Sequence, residues 1–403
     1  MNITVFENRE LATRLSPIAL TRPVFELRCG AFSFIERIYR LRPNASISLF
    51  VRKELIEITK HRFPNYSVNP DFPVEGLWLN GGVFWNEEAL QNLEKQFGTY
   101  LSNDGNFIGG NLSSEDVTEY IDKGGPVENT PNFKGRDYNI DSINFLWDCI
   151  NINGKALERD SKFFDMGKIQ GEIDEDVHLL KSNNIYVDIG AKIRNSVIID
   201  GESGPVIIEN NTIINPGAYI EGPIHIGEGS IINTGAKIFG NTSIGKGCKV
   251  GGEITGSILQ GWTNKQHDGF LGHSFLGEWI NIGAGTNNSD LKNNYSSVHV
   301  SIDGQWIDTK SLFVGLFMGD HSKSGIGTRF NTGSVVGVAC NIALSGFVPK
   351  SIPSFSWLVN DKHSKHKYEK FVETATVVKN RRGESFSDYE EKLFRLIAEN
   401  NTL

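Results

Sequence analysis

A chain of 403 residues is long enough for two or more separately cored domains. Its formal charge of −8, with no lysine- or arginine-rich cluster, argues against a nucleic-acid partner. No apolar run approaches the roughly 20 residues needed to cross a bilayer, and the opening MNITVFENRE lacks the basic and apolar regions of a signal peptide, so no membrane partner is expected. Cys29, Cys149, Cys248 and Cys340 stand far apart with no C-x-x-C spacing. That disfavours a zinc site and a disulfide framework and fits a reducing, cytoplasmic compartment. The 43 glycines against 13 prolines concentrate beyond residue 185, which marks a change of architecture along the chain.

In chain order, Ile3–Phe6, Ile47–Val51 and Leu77–Leu79 read as strands, and Glu54–Phe63, Glu87–Phe97 and Asp141–Ile150 as helices. That alternation predicts an α/β domain with a mainly parallel sheet. The run Thr13-Arg14-Leu15-Ser16-Pro17-Ile18-Ala19-Leu20-Thr21-Arg22-Pro23 resembles the signature of sugar-1-phosphate nucleotidyltransferases. The resemblance implies that Arg14, Arg22 and Arg28 hold phosphates, with a nucleoside triphosphate and Mg²⁺ as co-substrates if the domain is active. The sequence departs from that pattern in three places. Asn8-Arg9-Glu10-Leu11-Ala12 replaces the family's glycines, and Val24 replaces its closing lysine. Gly82 stands where a metal-binding Asp belongs; Glu87 and Asp104 are the replacements within reach, and the metal ligands stay unassigned.

From residue 208 one position in six is aliphatic: Ile208, Ile214, Ile220, Ile226, Ile232, Ile238, Ile244 and Val250. This period fits neither a 3.6-residue helix nor an alternating strand. It fits a left-handed parallel β-helix of hexapeptide repeats, in which each repeat is a short strand plus a corner and the aliphatic residues stack inside. Phe270, Leu276 and Ile282 continue the step, as do Val314, Ile326, Val338 and Leu344, with Asp320 and Thr332 in the intervening slots. The polar segments 260–269 and 287–311 read as loops leaving the solenoid on its binding face.

The densest chemical signal is Asn264-Lys265-Gln266-His267-Asp268-Gly269-Phe270-Leu271-Gly272-His273, running on to Asn281-Ile282-Gly283-Ala284-Gly285-Thr286. It resembles the acetyltransferase segment of the bifunctional N-acetylglucosamine-1-phosphate uridyltransferase/glucosamine-1-phosphate acetyltransferase family, whose domain order the whole chain follows. The resemblance implies acyl transfer from acetyl-CoA or another acyl-CoA in a homotrimer, with the acyl site between subunits. His267 is then the general base, oriented by Glu253. The N–H of Ala284 stabilises the oxyanion, and Asn281 and Lys265 bind substrate. Phe270 replaces the family's tyrosine, and Asp290-Leu291-Lys292-Asn293 replaces its Asn-Tyr-Asp-Gly, which leaves the acceptor open. His273 reads as a surface or inter-subunit residue, His321 as a structural histidine, and Trp262, Trp279 and Trp306 as packing under loops.

Beyond Pro353, Lys365–Lys379 and Tyr389–Asn400 read as helices, the second opened by the capping-box run Ser387-Asp388-Tyr389-Glu390. The expected layout is a nucleotidyltransferase-like α/β domain over 1–175, a left-handed β-helix over 176–355 and a helical tail over 356–403 capping the solenoid. The expected function is sugar-1-phosphate nucleotidyl transfer combined with acyl-CoA-dependent N-acylation in nucleotide-sugar metabolism. The alternative is a trimeric protein that binds sugar phosphate or nucleotide through degenerate sites.

Overall fold

The computed structural model describes residues 1–103, 106–129, 133, 135–360 and 362–400. A seven-stranded sheet centres the N-terminal domain, in the order Ser67–Val68, Ser46–Phe50, Asn2–Phe6, Gly76–Asn80, Asn106–Leu112, Thr99–Asn103 and Arg136–Asp137. Asn2–Phe6 runs parallel to both neighbours, with Ile3 and Val5 fully buried, and Asn106–Leu112 turns the far edge antiparallel. The three predicted strands all lie in this sheet, and helices form over Ile56–Arg62 and Glu87–Glu94. The helix expected over Asp141–Ile150 begins only at Asp148 and continues to Asp160. Asp148 accepts the N–H groups of Asn144 and Phe145, so the carboxylate organises the turn before the helix.

That helix joins the two halves. Gly154 lies against the side chain of Asn241 so closely that a Cβ would sit 1.9 Å from its Oδ1. Asn153 accepts the Gly30 N–H (2.7 Å) and the Ser243 hydroxyl (3.0 Å) and donates to the Asn241 carbonyl (2.8 Å). Arg37 and Asp160, both nearly fully buried, form an ion pair at 2.7 Å just behind this contact.

The rest of the chain up to Val359 is a left-handed parallel β-helix with three faces. Face one runs from Glu172–Ile173 through Asn264–Lys265 and, bridged by Asn281, on to Lys323–Ser324, Asn341–Ala343 and Ser356–Val359. Face two runs from His178–Leu180 to Phe270–Gly272, and face three from Ile185–Val187 to Ser351–Ile352. All eight aliphatic residues from Ile208 to Val250 are fully buried in one continuous core, as the six-residue period requires. Strands this short gain stability only by stacking on neighbouring coils.

Later coils depart from the expected phase. Leu271, not the half-buried Phe270, enters the core: the inward slots run Val250, Ile254, Leu259, Lys265, Leu271 and Leu276, so shortened corners before and after this coil shift the six-residue phase. After residue 311 the inward positions are Met318, Phe330, Val336, Ile342 and Val348, two residues out of register with the predicted set. Ile326, expected inside, is 83 % exposed. The insertion 287–311 resets the phase, and a local period cannot be carried across it.

Neither polar segment is a loose binding loop. Residues 260–269 stay in the coil, and Lys265 occupies the inward slot opposite Val250. Residues 287–311 contain the hairpin His299–Ile302/Gln305–Asp308, which buries Val300 and Ile302 in the same core as Leu15 and Ile18 of the N-terminal domain. The tail also differs from a simple end cap. Lys362–Lys365 pairs antiparallel with Ser356–Val359 and closes that edge. The helix Tyr368–Asn380 then runs back along the flank, from Phe371 against Phe355 to Arg382, which donates to the Gly247 carbonyl and to Asn264. The second helix, Asp388–Asn400, packs on the N-terminal domain and carries the predicted capping box of Ser387 and Glu390.

Candidate active site at a corner of the β-helix

Two corners flank face one. The corner after face one carries His267 on one coil and Gly283-Ala284-Gly285 on the next. The Gly285 N–H donates to the Asp268 carbonyl at 2.9 Å, which ties the histidine loop to the glycine turn. Gly285 has a φ of 69°, a left-handed value that glycine reaches without a Cβ clash. The Ala284 carbonyl accepts from Gly327, while its N–H donates to no acceptor among the described residues. Asn287 steadies the same turn, accepting the Phe270 N–H (2.8 Å) and donating to the Gly285 carbonyl (2.9 Å).

His267 is exposed. Glu253 lies on the preceding coil of face two, opposite Phe270, and its carboxylate forms no hydrogen bond or ion pair with His267 within this chain. Asn281 is exposed on face one, where its Oδ1 accepts from Asn264 at 3.4 Å. Lys265 is placed quite differently from expectation. Its side chain is 2 % exposed, and the ammonium donates to the carbonyls of Gly251 (2.9 Å) and His267 (2.5 Å). It therefore anchors the His267 loop from inside the coil and does not reach a ligand. Burial pulls this ammonium down to about 8.

Arg22 and Arg28 are also diverted from the phosphate role. Arg22 is 2 % exposed and bridges to the β-helix, 2.5 Å from Asp320 and 3.3 Å from Glu278. Burial alone would pull the guanidinium down, but Asp320 and Glu278 more than offset it, so the group stays charged. Arg28 donates to the Ala31 carbonyl (2.5 Å), and its own N–H donates to Gln260 of the β-helix (2.9 Å). Arg22 therefore serves the seam between the two halves with its guanidinium, and Arg28 with its backbone N–H. Of the three, only Arg14 lines the N-terminal cavity, held by Glu10 and the Asn144 carbonyl.

That cavity, about 310 Å³, opens at the ends of the strands Asn2–Phe6 and Gly76–Asn80. Its polar lining is mostly amide and hydroxyl: Asn8, Asn80, Asn103, Asn106, Ser142 and Asn144, with Glu10 the one carboxylate among the described residues, already paired with Arg14. A Cβ at Gly82 would fall 2.7 Å from Leu11, so this position is closed to a larger side chain without rearrangement. Glu87 pairs with Arg42 away from the cavity, and Asp104 lies outside the described residues. The described lining thus suits a neutral polar ligand or a phosphate at Arg14. It does not offer the carboxylates a magnesium site needs.

One pair escaped the sequence reading. His273 Nδ1 lies 2.8 Å from Asp290 Oδ2, with the ring against Phe313 (5.0 Å) at the corner between faces two and three. Nothing local announces a contact between residues 17 apart, one on the coil and the other in the insertion. The aromatic set is resolved as well. Trp262 and Trp279 stack at 5.2 Å on the corner before face one, and Trp279 lies over His321 at 6.1 Å, whereas Trp306 is exposed on the hairpin.

Comparison with known proteins agrees with this division. Residues 3–169 match the family described as sugar nucleotidyl transferase, and residues 205–240 match the bacterial transferase hexapeptide family of six repeats. The protein named bifunctional protein GlmU from Methanococcus aeolicus is 35 % identical over 209 residues, 51 % of this chain and 49 % of that protein. The bifunctional sugar-1-phosphate nucleotidylyltransferase/acetyltransferase of Sulfurisphaera tokodaii is 29 % identical over 51 % of this chain and 52 % of its own length. The bifunctional protein GlmU of Methanocaldococcus jannaschii is 32 % identical over 50 % and 48 %. The chain spans about half the length of the curated relatives it matches. Along the chain the segment similar to sugar nucleotidyl transferases thus comes first and the segment similar to hexapeptide-repeat transferases second.

Proposed function

We propose that the β-helix catalyses N-acylation of an amino-sugar phosphate by an acyl-CoA such as acetyl-CoA. The observation that carries this reading is the open corner, where His267 and the unpartnered Ala284 N–H sit on adjacent coils joined by the Gly285–Asp268 hydrogen bond. An unprotonated amine attacks the thioester carbon, and the new C–N bond forms as the carbonyl oxygen gains charge. The Ala284 N–H stabilises that oxyanion. His267 takes the amine proton and returns it to the departing thiolate as the C–S bond breaks, leaving amide and free thiol. Asn281 faces the acceptor side, and Lys265 holds the His267 carbonyl in place.

Homotrimer assembly belongs to the same proposal. Ile326 (83 % exposed) and Phe347 (64 % exposed) follow Ala284 down this corner, apolar surface that a neighbouring subunit would cover. A neighbour would also supply a carboxylate for His267 if Glu253 remains apart from it.

For the N-terminal domain the proposal is recognition of a sugar phosphate or nucleotide at Arg14. Arg22 is committed to the domain seam, so Arg14 is the cation in this cavity that would meet a phosphate, and the similarity of residues 3–169 to sugar nucleotidyl transferases supports nucleotidyl transfer as the use of that recognition. No step is assigned to a metal.

The test follows thiol release from acetyl-CoA with a panel of amino-sugar phosphates, for the wild type and His267→Ala. Acceptor-dependent release that collapses in the variant supports the reading; no release with any acceptor overturns it and leaves the β-helix as an assembly scaffold.

A further inference from the structure

The other corner of face one encloses a second cavity, of about 450 Å³, between the β-helix and the tail. Lys323, Asn341 and Trp357 form its floor on three successive coils, His321 closes one side, and Lys367 and Lys370 of the tail form the roof. Two of these groups are incompletely satisfied. The Lys323 ammonium donates to the His321 carbonyl at 3.0 Å, and no carboxylate among the described residues lies within ion-pair range of it. The His321 side chain is 2 % exposed, and its Nδ1 is buried without any hydrogen-bond partner. A half-buried cation and a buried ring nitrogen left in this state are costly, and natural proteins rarely keep them without a ligand or a role.

The surroundings are cationic. Glu373 is the one carboxylate among the described residues of the lining, and it pairs with Lys370 at 2.8 Å. Burial pulls Lys323 down to about 8, and burial together with Lys323 and Lys379 holds His321 well below the usual imidazole range. The helix Tyr368–Asn380 starts here without a side-chain cap, which adds positive potential from its first-turn N–H groups. The indole of Trp357, 37 % exposed, offers an apolar surface beside the charges.

We infer that this cavity binds a small phosphate-bearing molecule, its phosphate held by Lys323 and His321 and the remainder lying along Trp357. The site is distinct from the Ala284 corner, from which face one separates it, and from the N-terminal cavity at Arg14. An anion supplies the charge that Lys323 lacks and links the tail helix to the solenoid, so ligand binding stabilises the docked tail.

Calorimetric titration of the full chain with pyrophosphate and with ADP tests this. Binding is expected below about 1 mM and to weaken as salt rises. Lys323→Met is expected to weaken both ligands about tenfold or more, as loss of a charged hydrogen bond should. Trp357→Ala is expected to weaken ADP more than pyrophosphate. His267→Ala leaves both unchanged, which keeps this test independent of the acyl-transfer reading. Binding lost in Arg14→Ala but retained in Lys323→Met assigns the anion to the N-terminal cavity and overturns the proposal, as does the absence of binding. A wild-type measurement avoids dependence on variant folding. Pyrophosphate should protect Lys323 from acetic anhydride at pH 8, read by peptide mass spectrometry, and unchanged labelling overturns the site.

Discussion

The two corners that flank face one are built from the same repeat and have opposite characters. The corner at His267 and Ala284 is lined by small turn residues, with Gly285 and Gly327 at positive φ, and it is open. The corner at Trp262, Trp279, His321 and Ala339 places three bulky side chains and one methyl at φ between 52° and 60°, conformations that cost about 1–3 kcal/mol each. They are over-determined by packing. Trp262 and Trp279 stack, Lys379 lies over Trp279 at 5.2 Å, and Phe371, Phe386 and Phe394 approach the His321 ring edge-on. Where the backbone turn needs no side chain, the repeat leaves room for chemistry; where it carries one, the repeat becomes a docking surface for the rest of the chain.

If that contrast is right, the largest loss of stability comes from the closed corner. Arg22→Met leaves Asp320 buried without its partner and should destabilise by about 3–5 kcal/mol in urea unfolding, while acyl transfer by the folded fraction persists. A loss below about 1 kcal/mol would mean that the seam does not hold the halves together.

Lys265 gives a pH-resolved version. Its folded pKa of about 8 lies below the usual lysine value, so the unfolded chain binds the extra proton between about pH 8 and 10.5, and stability from this group rises with pH across that window. Relative to Lys265→Met, the wild type should gain about 3 kcal/mol over the window, since each unit is worth about 1.4 kcal/mol. A flat difference would place the ammonium in water.

At the open corner, His267→Ala should lower acceptor-dependent thiol release by about 10²-fold or more, equivalent to roughly 2.7 kcal/mol of barrier, and shift stability by no more than about 0.5 kcal/mol. A large stability change with it would blur the distinction between the corners. The smallest effect belongs to the tail. Ser387→Ala removes the hydroxyl that accepts the Glu390 N–H, costs about 1 kcal/mol in thermal unfolding and leaves turnover unchanged.

Much of the fold can be read from local pattern. Ile208 to Val250 announce the β-helix because a six-residue period is a property of backbone geometry, and every coil repeats the same inward position. The alternation of Ile3 and Val5 marks the central strand for the same kind of reason, and Ser387 with Glu390 marks a helix start within four residues. The order of the two domains and the His267-to-Thr286 segment were likewise legible, since both are contiguous in the chain.

Tertiary structure decided what contiguous patterns do not encode. Arg22 looks like a phosphate ligand until Asp320, 298 residues away, is seen beside it. Lys265 looks like a substrate-binding lysine until the coil register turns it inward, where two carbonyls accept its protons. The phase beyond residue 311 and the His273–Asp290 pair both depend on how the insertion folds back. Period and capping are local and so are written in neighbouring residues. Whether a charge meets solvent, a ligand or a distant carboxylate depends on which surfaces the packed domains bury, and that is settled only when the halves dock.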